Sequence, residues 1–189
     1  MRQTKVLGQA GYYTAAIGKW ALGYNGTTGA PRAKGFDYYY GQLDQTECHN
    51  YYPTTLWENE SLLSFPQNHN ASRDYCMGTP NNCLYVNTLF TNKAIDFLQQ
   101  QALARSPQRA QQPQQPPQPF FLYLAYTIPH AGGWNGTAEV GSPVPSDGQY
   151  RNENWPDVEK DHASMIANYQ VTLSLSLSSL SLSLSLSLS

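Results

Sequence analysis

Two residues that could do chemistry follow segments of strand-forming sequence, where a sheet would present them to a ligand. Lys19 lies in GKWALG at residues 18–23, and His130 ends TIPH at residues 127–130, directly after an apolar run. A lysine ammonium attracts an oxyanion, and an imidazole donates a proton near neutral pH. Taken alone, Lys19 is better explained as a solvated residue at a strand end, and His130 as a hydrogen-bonded loop residue.

The cysteines and the remaining histidines form no recognisable metal site. Cys76 and Cys83 are seven residues apart across a turn-rich stretch that could close a small disulfide loop, which leaves Cys48 single. Neither a CxxC pair nor a Cys/His cluster with zinc spacing is present, so structural zinc is not expected. The remaining histidines are interpreted as structural or exposed residues: His49, His69 and His162.

The segments that must position Lys19 and His130 alternate between helical and buried-strand patterns. The continuous apolar run 120–126 suits a central strand that helices cover on both faces. Alternation of this kind predicts an α/β layer architecture. The predicted elements are a helix over 4–10, a strand over 13–22, a helix over 92–103 capped by Thr88 or Thr91, a strand over 120–126, and a helix over 156–170 with Ala163, Ile166 and Ala167 facing inward.

Length and composition limit the classes of protein and of partner that this chain could represent. The chain has 189 residues, enough for one domain, and only 13% of them are charged, with a net charge of −2. Such a charge does not suit a phosphate backbone or an anionic membrane, and no apolar run approaches the length of a membrane span, so neither nucleic acid nor membrane is expected as a partner. The 14 Tyr and 4 Trp could build a core or line a sugar-binding cleft.

Two segments depart from globular composition. Residues 107–119 hold five Pro and six Gln in thirteen positions, a composition that predicts an exposed loop inserted into a domain spanning 1–170. Residues 171–189 are dominated by Leu-Ser alternation, which a CT dinucleotide repeat would encode. We interpret them as a low-complexity tail, a hypothesis that transcript sequencing across the segment tests.

The N-terminal residues do not have the pattern of a signal peptide. The chain nevertheless holds four N-x-[ST] sequons, at Asn25, Asn59, Asn70 and Asn135, more than expected by chance. Because these sequons accept glycans only in a secretory pathway, their number points weakly to secretion.

Taken together, the motifs resemble the sulfatase family. GYYTAAIGKWALGYNGTTGAPRAKGFDYYYG at residues 11–41 is similar to the sulfatase segment with core GYxTxxxGKWHLG, followed by GFD and a small residue. HNYYP and LWEN at residues 49–59, and PFFLYLAYTIPHA at residues 119–131, continue the resemblance in the family's order. It spans about residues 6–170 and implies part of an alkaline-phosphatase-like mixed sheet flanked by helices, incomplete at both ends.

The resemblance also implies a chemistry. Sulfatases use a formylglycine, made from a C/S-x-P/A-x-R motif, to attack sulfur, while a divalent cation, usually calcium, and lysines neutralise the sulfate oxygens. Lys19 matches the sulfate-contacting lysine, and His130 matches the histidine that protonates the leaving alcohol. Ala21 replaces the family histidine that supports the formylglycine hydroxyl. The implied ligand is a sulfated small molecule or sulfated glycan, and the implied location is secretory or extracellular.

The sequence departs from the family in its nucleophile and its metal ligands. None of the three cysteines lies in the modified motif, which the family places upstream of GKWHLG together with its first metal-binding aspartates. Calcium is therefore expected for the complete domain, with its ligands absent from this chain. Three interpretations remain open: a truncated sulfatase that is inactive alone, a decayed relative indicated by Ala21, and a secreted glycan-binding module that uses the aromatic stretch 36–57.

Overall fold

The structure, a computed structural model, describes residues 2–78, 82–104, 118–133 and 141–168. The predicted tail at 171–189, and all of the predicted loop at 107–119 except its last two residues, lie outside the described residues. In chain order the elements are α1 (Arg2–Gln9), β1 (Tyr13–Lys19), β2 (Tyr38–Gln42), β3 (Thr55–Glu58), β4 (Ser61–Ser64), α2 (Arg73–Gly78), α3 (Val86–Ala104), β5 (Phe120–Ala125) and α4 (157–168).

The five strands form one mixed sheet in the order β4-β3-β2-β1-β5. β1 pairs in parallel with both β2 and β5, whereas β3 runs antiparallel to β2 and to β4. The strands predicted over 13–22 and 120–126 correspond to β1 and β5 of this one sheet. Because β1 and β5 are parallel neighbours, their carboxyl ends lie at the same edge of the sheet.

Side chains alternate between the two faces of the sheet and build a core on each. Ile17 of β1 and Tyr40 of β2 pack with Phe90 and Ala94 of α3 on one face. On the other face the buried residues are Ala16, Trp20, Phe36, Tyr39 and Leu43. This alternation explains why apolar residues occur at successive positions of β1.

The aromatic stretch predicted as a possible glycan-binding surface belongs to the core instead. Four of its tyrosines are at most 3% exposed. Two of them are neighbours in β2 whose rings enter opposite faces of the sheet, and the other two follow the loop after β2 and pack in the core on the α3 face. These four rings are therefore not available to line a glycan-binding cleft. The four buried rings are those of Tyr39, Tyr40, Tyr51 and Tyr52.

Three details of the predicted elements differ from the structure. α3 begins at Val86, and Thr91 lies inside it, where its hydroxyl donates to the carbonyl of Asn87 rather than capping the helix. β5 lies at the end of the sheet rather than at its centre among the described strands, since an apolar run does not reveal how many neighbours a strand has. In α4, Ile166 is 41% exposed and Met165 is buried.

The buried face of α4 follows from an ion pair. Asp161 is 6% exposed, and its carboxylate accepts two hydrogen bonds from the guanidinium of Arg73 in α2, with N–O distances of 3.1 and 3.3 Å. The pair turns Asp161, Ser164 and Met165 inward and leaves Ile166 at the surface. A pattern of apolar residues alone does not detect this arrangement.

Candidate active site

The carboxyl ends of β1 and β5 form the edge at which both predicted site residues lie. Gly18 and Ala125 are partners in the sheet, so Lys19, the last residue of β1, lies one residue beyond that pair. β5 leads through residues 126–129 to His130. An open cleft of about 410 Å³ at this edge is lined by Lys19, Trp20, Tyr123, Leu124, Ala125, Tyr126 and Ile128.

Glycine at position 18 is required by the close approach of three strands. A Cβ built on Gly18 would lie 2.0 Å from the carbonyl oxygen of Ala125, and one on Gly41 would lie 1.9 Å from that of Gly18. Gly18 also has a φ of +115°, a conformation that L side chains rarely adopt. The close backbone packing at this glycine therefore fixes the position of Lys19, the next residue, at the end of β1.

The residues around Lys19 fix its backbone. Trp20 donates its backbone N–H to the carbonyl of Gln42, and its indole N–H donates to that of Gly29 at 2.9 Å. The indole is buried, packed edge-on against Phe36 and Tyr39. Because Trp20 is anchored on one face, Lys19, its neighbour in the chain, is held half-buried at the mouth of the cleft.

His130 is exposed, and one of its ring nitrogens is already committed. Nδ1 lies 2.5 Å from the carbonyl oxygen of Ala131. A carbonyl oxygen only accepts hydrogen bonds, so Nδ1 carries the proton in the neutral ring and Nε2 is the nitrogen that takes up or releases a proton. A ring held in this way donates from Nε2 only after Nε2 has taken up a proton to give the imidazolium, and donation returns it to the Nδ1-protonated tautomer.

His49, interpreted from the sequence as structural or exposed, lies beside His130 in the structure. Its ring stacks on that of His130 with 4.5 Å between centroids and 6° between planes. A hydrogen bond also joins the two segments: the hydroxyl of Tyr51 donates to the carbonyl of His130, 79 residues further along the chain. The sequence carried no signal for this pairing, since it depends on a long-range contact between two loops.

Burial lowers the pKa of His49, and the charges of His130 and Lys19 lower it further. Lys19, at the end of β1, and His130, in the loop after β5, are therefore both close enough to His49 to affect its charge. A lowered pKa keeps His49 neutral at neutral pH.

Ala21 follows Trp20 at the same edge in the left-handed conformation, with a φ of +57°. Its N–H donates to the carbonyl of Leu43, so the pairing of the chain with the β2 side continues past Lys19. Histidine is among the residues that tolerate this conformation, and the backbone at position 21 is therefore compatible with the family's histidine.

The cysteines do not supply a nucleophile at this edge. Cys48 is buried and free, and burial raises its pKa to about 12, so its sulfur stays protonated at neutral pH. Cys76 and Cys83 form a disulfide, as their spacing allowed.

A metal site cannot be built from the described side chains, because no three His, Cys, Asp or Glu residues among them converge as ligands. The calcium that the family implies therefore finds no fitting cage in this part of the chain, and no chemical step is derived through it. What the described residues offer is a half-buried lysine ammonium and a histidine with its Nε2 available.

The sequence model named Sulfatase matches residues 4–175 of this chain. Arylsulfatase G of Homo sapiens is 30% identical over 131 residues, which cover 67% of this chain and 25% of that protein. Arylsulfatase J of Mus musculus is 28% identical over 146 residues, 76% of this chain and 19% of that protein. The chain thus spans a quarter or less of the length of these curated relatives.

A solved structure, that of Ps i-CgsB in complex with k-i-k-neocarrahexaose, is similar in fold. It superposes with a TM-score of 0.61 at 21% identity and covers 97% of this chain and 36% of that chain. Within the parts of the chain that the structure describes, no helix has both the length and the apolar character needed to cross a bilayer.

Proposed function

This chain belongs to the sulfatase family, and we propose that it is part of a sulfuric ester hydrolase in which Lys19 binds the sulfate group and His130 protonates the leaving alcohol. The observation that carries the proposal is the arrangement at one sheet edge of a half-buried lysine and a histidine with a free Nε2. Their chemistry matches what the family requires of these two motif positions.

The roles follow from charge and proton balance. The ammonium of Lys19 offsets negative charge on the non-bridging sulfate oxygens. As a nucleophile that this sequence does not supply bonds to sulfur, the bond between sulfur and the bridging oxygen breaks. That oxygen takes the Nε2 proton of the His130 imidazolium and leaves as an alcohol, and the ring returns to its neutral, Nδ1-protonated form. Groups placed in advance for such charge stabilisation are often the largest contribution to catalysis.

We propose further that the 189-residue chain does not hydrolyse sulfate esters by itself. The printed sequence contains no C/S-x-P/A-x-R motif, so it supplies no formylglycine to attack sulfur. The second candidate is a non-catalytic relative, which Ala21 favours because an internal substitution is not explained by missing ends. Restoring the histidine in a complete domain separates the two candidates, since only a working enzyme gains rate.

A sulfated glycan is the substrate class we propose. The ammonium of Lys19 would bind the sulfate group. The cleft beside it is lined partly by the aromatic residues Trp20, Tyr123 and Tyr126, which could contact the sugar. The neighbour in fold, Ps i-CgsB, was solved with k-i-k-neocarrahexaose, an oligosaccharide. A panel of sulfated and desulfated sugars tests this class, and equal binding of both forms would exclude it.

A secretory or extracellular location is proposed on two observations. The Cys76–Cys83 disulfide suits an oxidising compartment, and Asn25 and Asn70 of the sequons lie exposed at the surface. Secretion from cultured cells should therefore add glycans at Asn25 and Asn70. Loss of mass on treatment with peptide N-glycosidase tests this, and a secreted but unmodified chain would contradict it.

Binding of a sulfate ester to the 189-residue chain tests the central roles without requiring turnover. Titration with p-nitrocatechol sulfate, followed by NMR, should shift signals of the 18–23 and 127–131 segments. Lys19→Ala should weaken binding about tenfold or more, because a hydrogen bond to a charged group contributes about 1.5–3 kcal/mol. Lys5→Ala removes an exposed lysine of α1 as the matched control and should leave the affinity unchanged. Binding that is indifferent to Lys19 would refute the proposal.

A further inference from the structure

His49 and His130 come from separate loops, yet their backbones are joined as closely as neighbouring strands. The N–H of Gly133 donates to the carbonyl of His49 at 2.9 Å, and the N–H of Tyr51 donates to the carbonyl of Gly133 at 3.3 Å. A Cβ built on Gly132 would lie 2.2 Å from the carbonyl oxygen of His49. The two loops are therefore held in one register, and the contact between the rings is fixed by the backbone beneath them.

The hydrogen bond from His130 to its neighbour does not fix the orientation of the His130 ring relative to the rest of the site. The bond from Nδ1 to the carbonyl of Ala131 selects the tautomer, but it joins neighbouring residues and leaves an exposed ring free to swing with its own loop. The flat ring of His49 lies parallel to it at 4.5 Å, a separation typical of stacked aromatic rings. Stacking restrains the plane of His130 from a different part of the chain.

The charges that surround His49 favour a neutral ring there. His130 and Lys19 are the charged groups that act on its pKa, and both lower it, in addition to burial. Nε2 of His49 is buried and finds no hydrogen-bond partner among the described residues. A neutral ring is what a stacked partner of a proton donor requires, because two stacked cations repel each other.

We infer that His49 is a positioning residue for His130: its stacked ring holds the His130 ring in the plane in which Nδ1 reaches the carbonyl of Ala131, and so keeps Nε2 as the nitrogen that meets the leaving oxygen. The inference rests on the function proposed above, because it concerns the same proton donor. His49 touches neither the sulfate nor the reacting atoms in this account, and it acts only through His130.

NMR of the 189-residue chain, labelled with ¹⁵N at histidine, tests this role through the tautomer of His130. His49→Phe keeps a flat ring, whereas His49→Leu and His49→Ala remove it, and His69→Ala changes an exposed histidine as the control. In the wild type, His49→Phe and His69→Ala, we expect a single His130 tautomer protonated at Nδ1, whose signals move when p-nitrocatechol sulfate is added. In His49→Leu and His49→Ala, we expect averaging of both tautomers and loss of the ligand-induced shift at His130.

Circular dichroism identifies the variants that fold. If His49→Ala does not fold, His49→Leu, whose side chain has a similar volume to histidine, still tests the role of the ring. A folded His49→Leu chain that retains a single Nδ1-protonated His130 would overturn the inference, as would loss of that tautomer in His49→Phe. If the wild type binds no sulfate ester, the proposed function fails, while the comparison of tautomers still decides the role of His49.

Discussion

Burial, the His130 ring and the Lys19 ammonium lower the pKa of His49 in the folded chain below its ordinary value of 6.5. The unfolded chain therefore takes up a proton at His49 at a higher pH than the folded chain does. Below about pH 6.5 the unfolded state binds more protons, so the free energy of unfolding falls as the pH falls through the folded pKa. Above that window His49 has no effect on the pH dependence of stability.

The first prediction is that His49→Phe makes the chain less sensitive to acid. Phenylalanine keeps the stacked ring and cannot be protonated, so the decrease in the free energy of unfolding between pH 6.5 and pH 5 should be smaller than in the wild type. Urea unfolding at a series of pH values measures it. His69→Phe, at an exposed position, serves as the control, and an unchanged acid slope in His49→Phe would contradict the prediction.

Sequence motifs predicted Lys19 at the end of one strand and His130 in the loop beyond the other, where the structure has them, because each motif follows an apolar run. They did not reveal His49, since its ring reaches the site through contacts with Gly132 and Gly133. Local sequence patterns encode local structure, and a stack between two loops is not local.

At the scale of the element, β1 is confined on both sides by backbone. Gly18 and Gly41 are partners across the β1–β2 pair, and Gly18 and Ala125 across the β1–β5 pair. The three chains approach so closely there that no side chain fits at position 18. β1 and β5 were predicted because their apolar runs are long, whereas the place of β5 at the end of the sheet and the start of α3 depend on tertiary contacts.

The second prediction concerns Gly18→Ala, which should lower the free energy of unfolding by about 3 kcal/mol or more, because β1 and β5 must separate to admit the methyl group. Gly8→Ala is the matched control: no atom lies within 4 Å of its Cβ position in α1, and alanine should raise stability there by about 0.5–1 kcal/mol. Chemical denaturation measures both. Equal effects of the two substitutions would contradict the packing argument.

At the scale of the whole molecule, Arg73 joins α2 to the segment 141–168. Its guanidinium lies 3.1 Å from Asp161, 3.5 Å from Asp147 and 3.7 Å from Asp157. Burial raises the pKa of Asp161, and the hydrogen bonds and charge of Arg73 oppose that rise. The arginine therefore compensates for carboxylates that α4 could not otherwise hold against the core.

The third prediction is that Arg73→Met lowers the free energy of unfolding by about 2 kcal/mol. Removing one partner of a fully buried ion pair leaves an unpaired charge and costs about 3–5 kcal/mol. The cost is lower here because Arg73 is partly exposed to solvent. Glu60→Gln removes the exposed ion pair with Arg32 as the control and should cost less than about 0.5 kcal/mol. Thermal and urea unfolding measure both, and a neutral Arg73→Met would show that α4 does not depend on this ion pair.

We propose above all that this chain carries the sulfate-binding lysine and the proton donor of a sulfatase, but not its nucleophile. The most direct test is turnover of p-nitrocatechol sulfate by the folded 189-residue chain with added calcium, measured together with binding. We predict Lys19-dependent binding with no hydrolysis above background, both in the wild type and in Ala21→His, because a histidine at position 21 cannot replace a missing nucleophile. Hydrolysis by the wild type that Lys19→Ala or His130→Ala abolishes would contradict the claim and reveal a nucleophile within this sequence.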